Sequence, residues 1–401
     1  MAVSRDRCRA LGLCLLARAL PSARPASGRP PRLLLIRPDH LGDVLLTSPA
    51  VAALRAATPR AHLTLMVGPW SEAVARRGAE VDRLLTCQFP GFNRRPRRGL
   101  LEPYRLLLGT AERLRGDYDL AVVLRPDHWW GALLARLAGV PYRLGYDTPS
   151  TRPLLTEALP LPVGTHAARL SLALAERACE MATGRGEVSP PLRLRDAPKP
   201  VFRLTAEERG WAATIAEQGT GPLVLLHPGS GSPLKNWPVD RWAAVADELV
   251  MRGAAVALTG GVDDLATPLA VAAAMRATPL MLAGKTALGQ FGALAERSAL
   301  VIGTDSGPLH LAAAVGAPTL RVYGPTDETI FGPWGPPGKH AVLTNPLPCR
   351  PCGNLLAPPC AARAEPPCLL GVQISRVAEA ALAQLQNLTP RPFPRREGAG
   401  G

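Results

Sequence analysis

Aromatic residues are scarce in this 401-residue chain: Phe, Trp and Tyr together make up 4% of it. With 47% hydrophobic residues, its cores must be built from Leu, Val and Ala. Lysine is scarcer still. It occurs only as Lys199, Lys235, Lys285 and Lys339, so arginine carries nearly all of the cationic side of a +14 formal charge. No apolar run approaches the roughly 18–20 residues that span a bilayer, which leaves a soluble or membrane-surface protein. Zinc-finger spacing, an aromatic RNA-binding motif and a basic helix are also missing, so the charge does not point to nucleic acid. The eight cysteines do not make a secreted disulfide scaffold in a chain of this size.

The Arg-for-Lys bias, with abundant Pro, Ala and Gly, fits the codon usage of a GC-rich genome as well as it fits a function. The local run Arg94, Arg95, Arg97 and Arg98 in FPGFNRRPRRG is more specific, because a loop of that charge can meet an acidic ligand or anionic headgroups. The length allows two domains, each with its own core. Residues 1–30 read as a disordered or targeting-like extension, too short in its apolar part and too interrupted for a signal peptide.

From residue 32 onward, short apolar runs alternate with helical patterns, which argues for βαβ units and parallel sheets. RLLLI (32–36), HLTLMV (62–67), VDRLLTC (81–87) and YDLAVVL (118–124) read as strands, and YRLGY (142–146) as the last strand of the first half. A Pro/Gly/charge-rich stretch at about 184–204 is the best linker. A second series runs from PLVLLHPG to PTLRVYG, with Gly253 and Gly316 placed as helix C-caps. From 325 the chain reads as Pro-rich loop up to a helix at about 374–387. The expected organisation is one doubly wound α/β domain over 31–195 and a second over 196–325. A Pro/Cys-rich tail follows over 326–390, then a disordered end over 391–401.

Four segments carry candidate chemistry. Gly303-Thr304-Asp305-Ser306-Gly307 places a carboxylate and a hydroxyl between a strand end and a helix start. Free N–H groups and a positive dipole end await an anion there, and open α/β sheets bind ligands at such corners. His310 stands one turn further on. The loop His227 to Pro238 can wrap phosphate oxygens, with Gly229, Ser230 and the rare Lys235 in it. Asp263 and Asp264 follow another strand end, suited either to ribose hydroxyls or to turn and cap duty. Arg37 to Asp43 takes the position of a G-x-G-x-x-G fingerprint but lacks it, which disfavours a dinucleotide oxidoreductase. Asp43 is either a first-turn acid that stabilises its helix or a general base. Cys349, Cys352, Cys360 and Cys368 form a possible structural cluster, although the spacing of the second pair departs from the usual zinc pattern.

RPDHLGDVLLTSPAVAALR, LHPGSGSPLKNWP, IGTDSGPLHLAAAVGAPTLRVYGPTD and the CxxC-containing tail, in that order and spacing, resemble glycosyltransferase family 9. Its best-known members are the ADP-heptose:lipopolysaccharide heptosyltransferases, and the resemblance covers roughly residues 32–385. It implies a GT-B fold, two Rossmann-like doubly wound domains facing a cleft. It also implies inverting, metal-independent transfer with no cofactor beyond the donor, ADP-heptose. Asp43 matches the catalytic base and Lys235 the donor-phosphate lysine. Gly229, Ser230, Asp305, Ser306, Gly307 and His310 match donor-binding positions, Asp263 a ribose-binding acid, and Thr286 an adenine contact. The expected partners are the nucleotide sugar and an anionic lipid A core, the latter met by Arg94, Arg95, Arg97 and Arg98. Peripheral contact at the cytoplasmic face of the inner membrane follows from that acceptor. The alternatives are another nucleotide sugar with another surface glycan, a GT-B-shaped nucleotide-sugar epimerase, and a non-catalytic nucleotide-binding protein.

Overall fold

The computed structural model describes residues 28–78, 80–92, 99, 101–184, 199–336 and 338–388. The chain divides into two compact units, Met1–Val201 and Phe202–Gly401. Each is built on a six-stranded, all-parallel sheet.

In the first unit the strands are β1 (Arg32–Arg37), β2 (His62–Val67), β3 (Arg83–Thr86), β4 (Leu120–Val123), β5 (Tyr142–Tyr146) and β6 (Glu157–Leu159), in the order β3-β2-β1-β4-β5-β6. β1 is central, and Leu33, Leu34, Leu35 and Ile36 are fully buried, as expected of a parallel strand covered on both faces. Helix α1 (Leu41–Ala57) leaves the end of β1 and packs on α2 (Ala167–Thr183), where the Thr47 and Ser171 hydroxyls meet at 3.4 Å. Helix α2 ends at Gly184 in the left-handed region, a C-cap whose N–H reaches Glu180 O. YRLGY is not the last strand of this unit, because β6 pairs beyond it. β6 is an edge strand of half-buried residues, so it carries no continuous apolar run.

The second unit has β7 (Leu223–His227), β8 (Ala255–Leu258), β9 (Leu280–Met281), β10 (Leu300–Thr304), β11 (Thr319–Val322) and β12 (His340–Leu343), in the order β12-β11-β10-β7-β8-β9. Helices α3 (Val239–Met251), α4 (Leu288–Arg297), α5 (Gly307–Ala314) and α6 (Ile374–Leu388) are among those that cover it. The expectation of loop from 325 to the last helix gives way here. β12 adds a parallel edge strand to β11, and one-turn helices form at Glu328–Phe331 and Pro367–Leu370. The tail is also core: Leu369, Val372, Val377, Ala381 and Leu385 pack with Val224, Trp242 and Ile302. Gly253 and Gly316 have φ of +87° and +89°, the conformation a helix C-cap demands of glycine.

Read from its first strand, each sheet has the order 3-2-1-4-5-6. The chain builds outward on one side and then crosses to the other. The crossing point lies between β1 and β4 in one unit and between β7 and β10 in the other, and at such a switch point a crevice opens beyond the strand ends.

Candidate active site

At the β7/β10 switch point the two glycine-bearing segments come together. After β7 the loop is organised from within. Ser230 Oγ lies 2.8 Å from Ser232 O and 2.7 Å from Asn236 Oδ1, two acceptors that share its single proton, and Pro233–Lys235 forms a single 3-10 turn. Trp237 anchors the loop from below, buried edge-on against Trp242 on α3 with ring centroids 4.7 Å apart. This delivers Lys235 Nζ to within 3.3 Å of Asp305 Oδ2, beyond the end of β10. Asp305 is buried, which alone would raise its pKa. Lys235, His310 and Thr326 outweigh burial and hold it well below the carboxylate range. His310, on the first turn of α5, faces Asp305 Oδ1 at 3.7 Å, and burial pushes its pKa down to about 4. Ser306 is the N-cap residue of α5, yet its buried Oγ has no hydrogen-bond partner among the described residues. An ammonium, first-turn N–H groups and an unengaged hydroxyl therefore converge on one corner, the chemistry that receives a phosphate.

Gly229 lies beneath Asp264: a Cβ on it would stand 1.7 Å from Asp264 Oδ2. Asp264 also accepts from Thr267 Oγ1 at 2.9 Å, while Asp263 points to solvent, so the loop is bordered by the second acid of the pair. Thr286 lies half-buried in the turn before α4. The four arginines Arg94, Arg95, Arg97 and Arg98 fall outside the described residues.

The β1/β4 switch point carries a second charged cluster. Arg37, at the end of β1, pairs with Asp39 at 2.9 Å and with Asp43 Oδ1 at 3.2 Å, and donates to Leu124 O at 2.8 Å. Asp43 therefore sits on the first turn of α1, which begins at Leu41, with 29% of its side chain exposed. Arg125 follows β4 and pairs with both Asp39 and Asp127, its guanidinium 5.1 Å above the Phe92 ring. Burial would raise the pKa of Asp39, but Arg37 and Arg125 pull it below the carboxylate range. His128 is buried against Phe89 and Phe92, which pushes its pKa down to about 3. Arg125 and Asp127 were not singled out from the sequence, although a signal exists. The tetrapeptide Arg-Pro-Asp-His occurs twice, at 37–40 and 125–128, after the two strands that flank the switch point.

Cys349, Cys352, Cys360 and Cys368 border one small cavity in the second unit, with Leu234 on its wall. All four are free thiols, and among the described residues no three His, Cys, Asp or Glu side chains are placed to hold a metal.

Two Rossmann-like units, with a phosphate-receptive corner at the switch point of the second, define a GT-B protein. The sequence profile of glycosyltransferase family 9 (heptosyltransferase) matches residues 108–357, and the chain belongs to that family. It is thus a glycosyltransferase. The matched span includes Lys235 and the Asp305 corner and begins after Asp43. Lipopolysaccharide heptosyltransferase 3 of Escherichia coli K12 is 28% identical over 306 residues, covering 73% of this chain and 82% of that protein. Among solved structures, the family 9 glycosyl transferase of Veillonella parvula aligns with a TM-score of 0.69 at 24% identity, over 91% of this chain and all of the other. E. coli ADP-heptose lps heptosyltransferase II aligns with a TM-score of 0.65 at 23% identity, over 89% of this chain and 99% of that one.

Proposed function

We propose that this protein transfers a heptose from ADP-heptose to the inner core of lipopolysaccharide, inverting the anomeric carbon without a metal ion. The observation that carries the donor half is the meeting of Lys235 with the start of α5 at the β7/β10 switch point. As the anomeric C–O bond breaks, charge develops on the departing diphosphate. In this reading Lys235 and the N–H groups at Ser306–Gly307 stabilise that charge, a task that a divalent metal performs in other sugar transferases. Gly229, His310, Asp263 or Asp264, and Thr286 complete the donor side in this reading.

Asp43 takes the proton of the acceptor hydroxyl as that oxygen bonds the anomeric carbon. Its place on the first turn of α1, beyond the end of β1, with Arg37 holding one carboxylate oxygen, supports that role. The first unit, with the Arg94–Arg98 run, receives an anionic lipid A core. The protein works peripherally at the cytoplasmic face of the inner membrane. The relatives named above, all lipopolysaccharide heptosyltransferases or family 9 enzymes, support the choice of sugar and acceptor.

The test is to incubate pure protein with ADP-heptose, other ADP-sugars and UDP-sugars, with and without heptose-deficient lipopolysaccharide, and to identify products by mass. Heptose addition that persists in a chelator is the expected result. Transfer from a different nucleotide sugar, or epimerised donor without acceptor, would overturn the assignment. Loss of transfer on chelation would remove the metal-free mechanism.

A further inference from the structure

One charged side chain near the donor corner is unused by the reading above. Arg321, on β11, is fully buried at 0% exposure, an unusual place for a guanidinium. Its Nη2 donates to Leu309 O at 2.8 Å, and its Nη1 lies 3.4 Å from His310 Nδ1. A guanidinium has donors and no acceptor. His310 Nδ1 must therefore be the accepting nitrogen, and in a neutral ring the proton then sits on Nε2. Nε2 is the nitrogen that faces Asp305 Oδ1. The contacts form a chain from Arg321 through His310 and Asp305 to Lys235.

We infer that Arg321 is a positioning residue: it locks His310 in the neutral Nε2–H form, whose N–H faces Asp305 and keeps that carboxylate ionised and turned toward Lys235. The inference rests on the proposed donor role of this corner. Arg321 is too deeply enclosed to touch a donor itself, so it acts through His310.

The charges around His310 set the direction of the effect. From β11 it faces Arg321, from the end of β10 Asp305, and from the β7 loop Lys235; the two cations and burial oppose a proton on the ring, and Asp305 favours one. Around Arg321 itself stand Tyr323, just past the end of β11, and His340 on β12. Removing the guanidinium deletes one of the two opposing cations and the only donor assigned to Nδ1 among the described residues. His310 then becomes free to take a second proton or to switch tautomer. An imidazolium beside Asp305 would compete with Lys235 for the carboxylate and would make donor binding depend on pH.

The experiment uses Arg321→Met, of similar length, and Arg321→Gln, whose amide can still donate to Nδ1 but carries no charge. Arg321→Lys is the conservative rescue. Imidazole ¹⁵N shifts assign the tautomer and midpoint of His310, identified by its loss in His310→Gln. Calorimetry with ADP reads the corner between about pH 5.5 and 8.

In the native chain His310 should remain Nε2–H throughout, consistent with its midpoint of about 4. In Arg321→Met the midpoint should move toward the free value of about 6.5, and ADP affinity should change several-fold across that range. Arg321→Lys should restore a flat profile. If Arg321→Met does not fold, Arg321→Gln decides: it should keep the tautomer while raising the midpoint. A neutral, Nε2–H His310 and a flat ADP profile in a folded Arg321→Met or Arg321→Gln protein would overturn the inference. The ¹⁵N readout needs no donor, so failure of ADP to bind the native chain would count against the proposed function alone.

Discussion

Replacing Lys235 with Met should destabilise the second unit, and the penalty should fade in acid. Lys235 Nζ and Asp305 Oδ2 are 3.3 Å apart, with side chains 17% and 8% exposed. At an effective dielectric of about 20, that separation corresponds to roughly 5 kcal/mol of attraction, opposed by desolvation of both ions. Breaking a buried pair by removing one partner typically costs about 3–5 kcal/mol, because the remaining charge stays buried. The residual exposure of Lys235 places the expectation near the lower end, about 3 kcal/mol. In the native chain the pKa of Asp305 is depressed below 3.8. Its contribution is therefore complete above that value and lost as pH falls through the lower, folded pKa. Without Lys235, burial pushes the folded pKa upward, so the gap between variant and native chain should be widest near neutrality and should close as Asp305 protonates. Urea unfolding read by tryptophan fluorescence, from about pH 7.5 down to 4, measures both quantities. The double variant Lys235→Met/Asp305→Asn removes both charges and should recover most of the loss, which the double-mutant cycle reports as coupling. A Lys235→Met protein within about 0.5 kcal/mol of native, a normal scatter for surface changes, would refute the buried-pair reasoning. So would a penalty that is the same at every pH.

Asp43→Asn should lower kcat by about 10²–10⁴, the usual worth of a positioned base, while ADP binding by calorimetry stays unchanged; near-normal turnover would remove Asp43 as the base. His128, His227 and His310 have folded pKa values of about 3, 4 and 4, set chiefly by burial. Because the unfolded chain binds their protons first, the unfolding free energy should fall as pH drops from about 6.5 toward 4. Each such residue removes up to a few kcal/mol at about 1.4 kcal/mol per pH unit, and stability flat over that range would contradict the burial. Gly253→Ala forces a Cβ into a backbone at φ +87°, so it should destabilise by about 1–2 kcal/mol, measured by the same urea titration without change in ADP affinity.

The two central strands β1 and β7 were legible because they are buried on both faces, and a continuous run such as Arg32–Arg37 or Leu223–His227 has few other readings. The edge strands β6 and β12 were not. Each hydrogen-bonds on one side only and keeps half-buried side chains, so neither periodicity nor apolar content separates it from loop. Site residues follow a similar logic. Lys235 stood out by its rarity, and Asp305 to His310 by the strand-turn-helix order around them. Arg321 lies inside the apolar strand PTLRVYG of an arginine-rich chain, where composition hides it. Its burial and its hydrogen bonds to Leu309 O and His310 Nδ1 distinguish it from a solvated arginine. Ser230 reads from sequence as a ligand contact, yet its hydroxyl is spent on Ser232 and Asn236 inside its own loop, a choice that composition does not encode.

Both units use one device with opposite polarity. Equivalent topology places a cluster at each switch point, and a buried, strand-borne arginine backs each one: Arg37 on β1 and Arg321 on β11. In the first unit the ion-paired groups are two guanidiniums, Arg37 and Arg125, against three carboxylates, Asp39, Asp43 and Asp127. In the second, an ammonium and a guanidinium stand against Asp305 alone, with His310 neutral between them. Under the proposed function, an excess of carboxylate suits a corner that accepts a proton. An excess of cation in a buried place is unfavourable unless an anion completes it, which is what the proposed diphosphate would do. The sheet order alone would not separate the two roles, since it is the same in both units. In that proposal the division of labour rests on which charges follow β1, β4, β7 and β10.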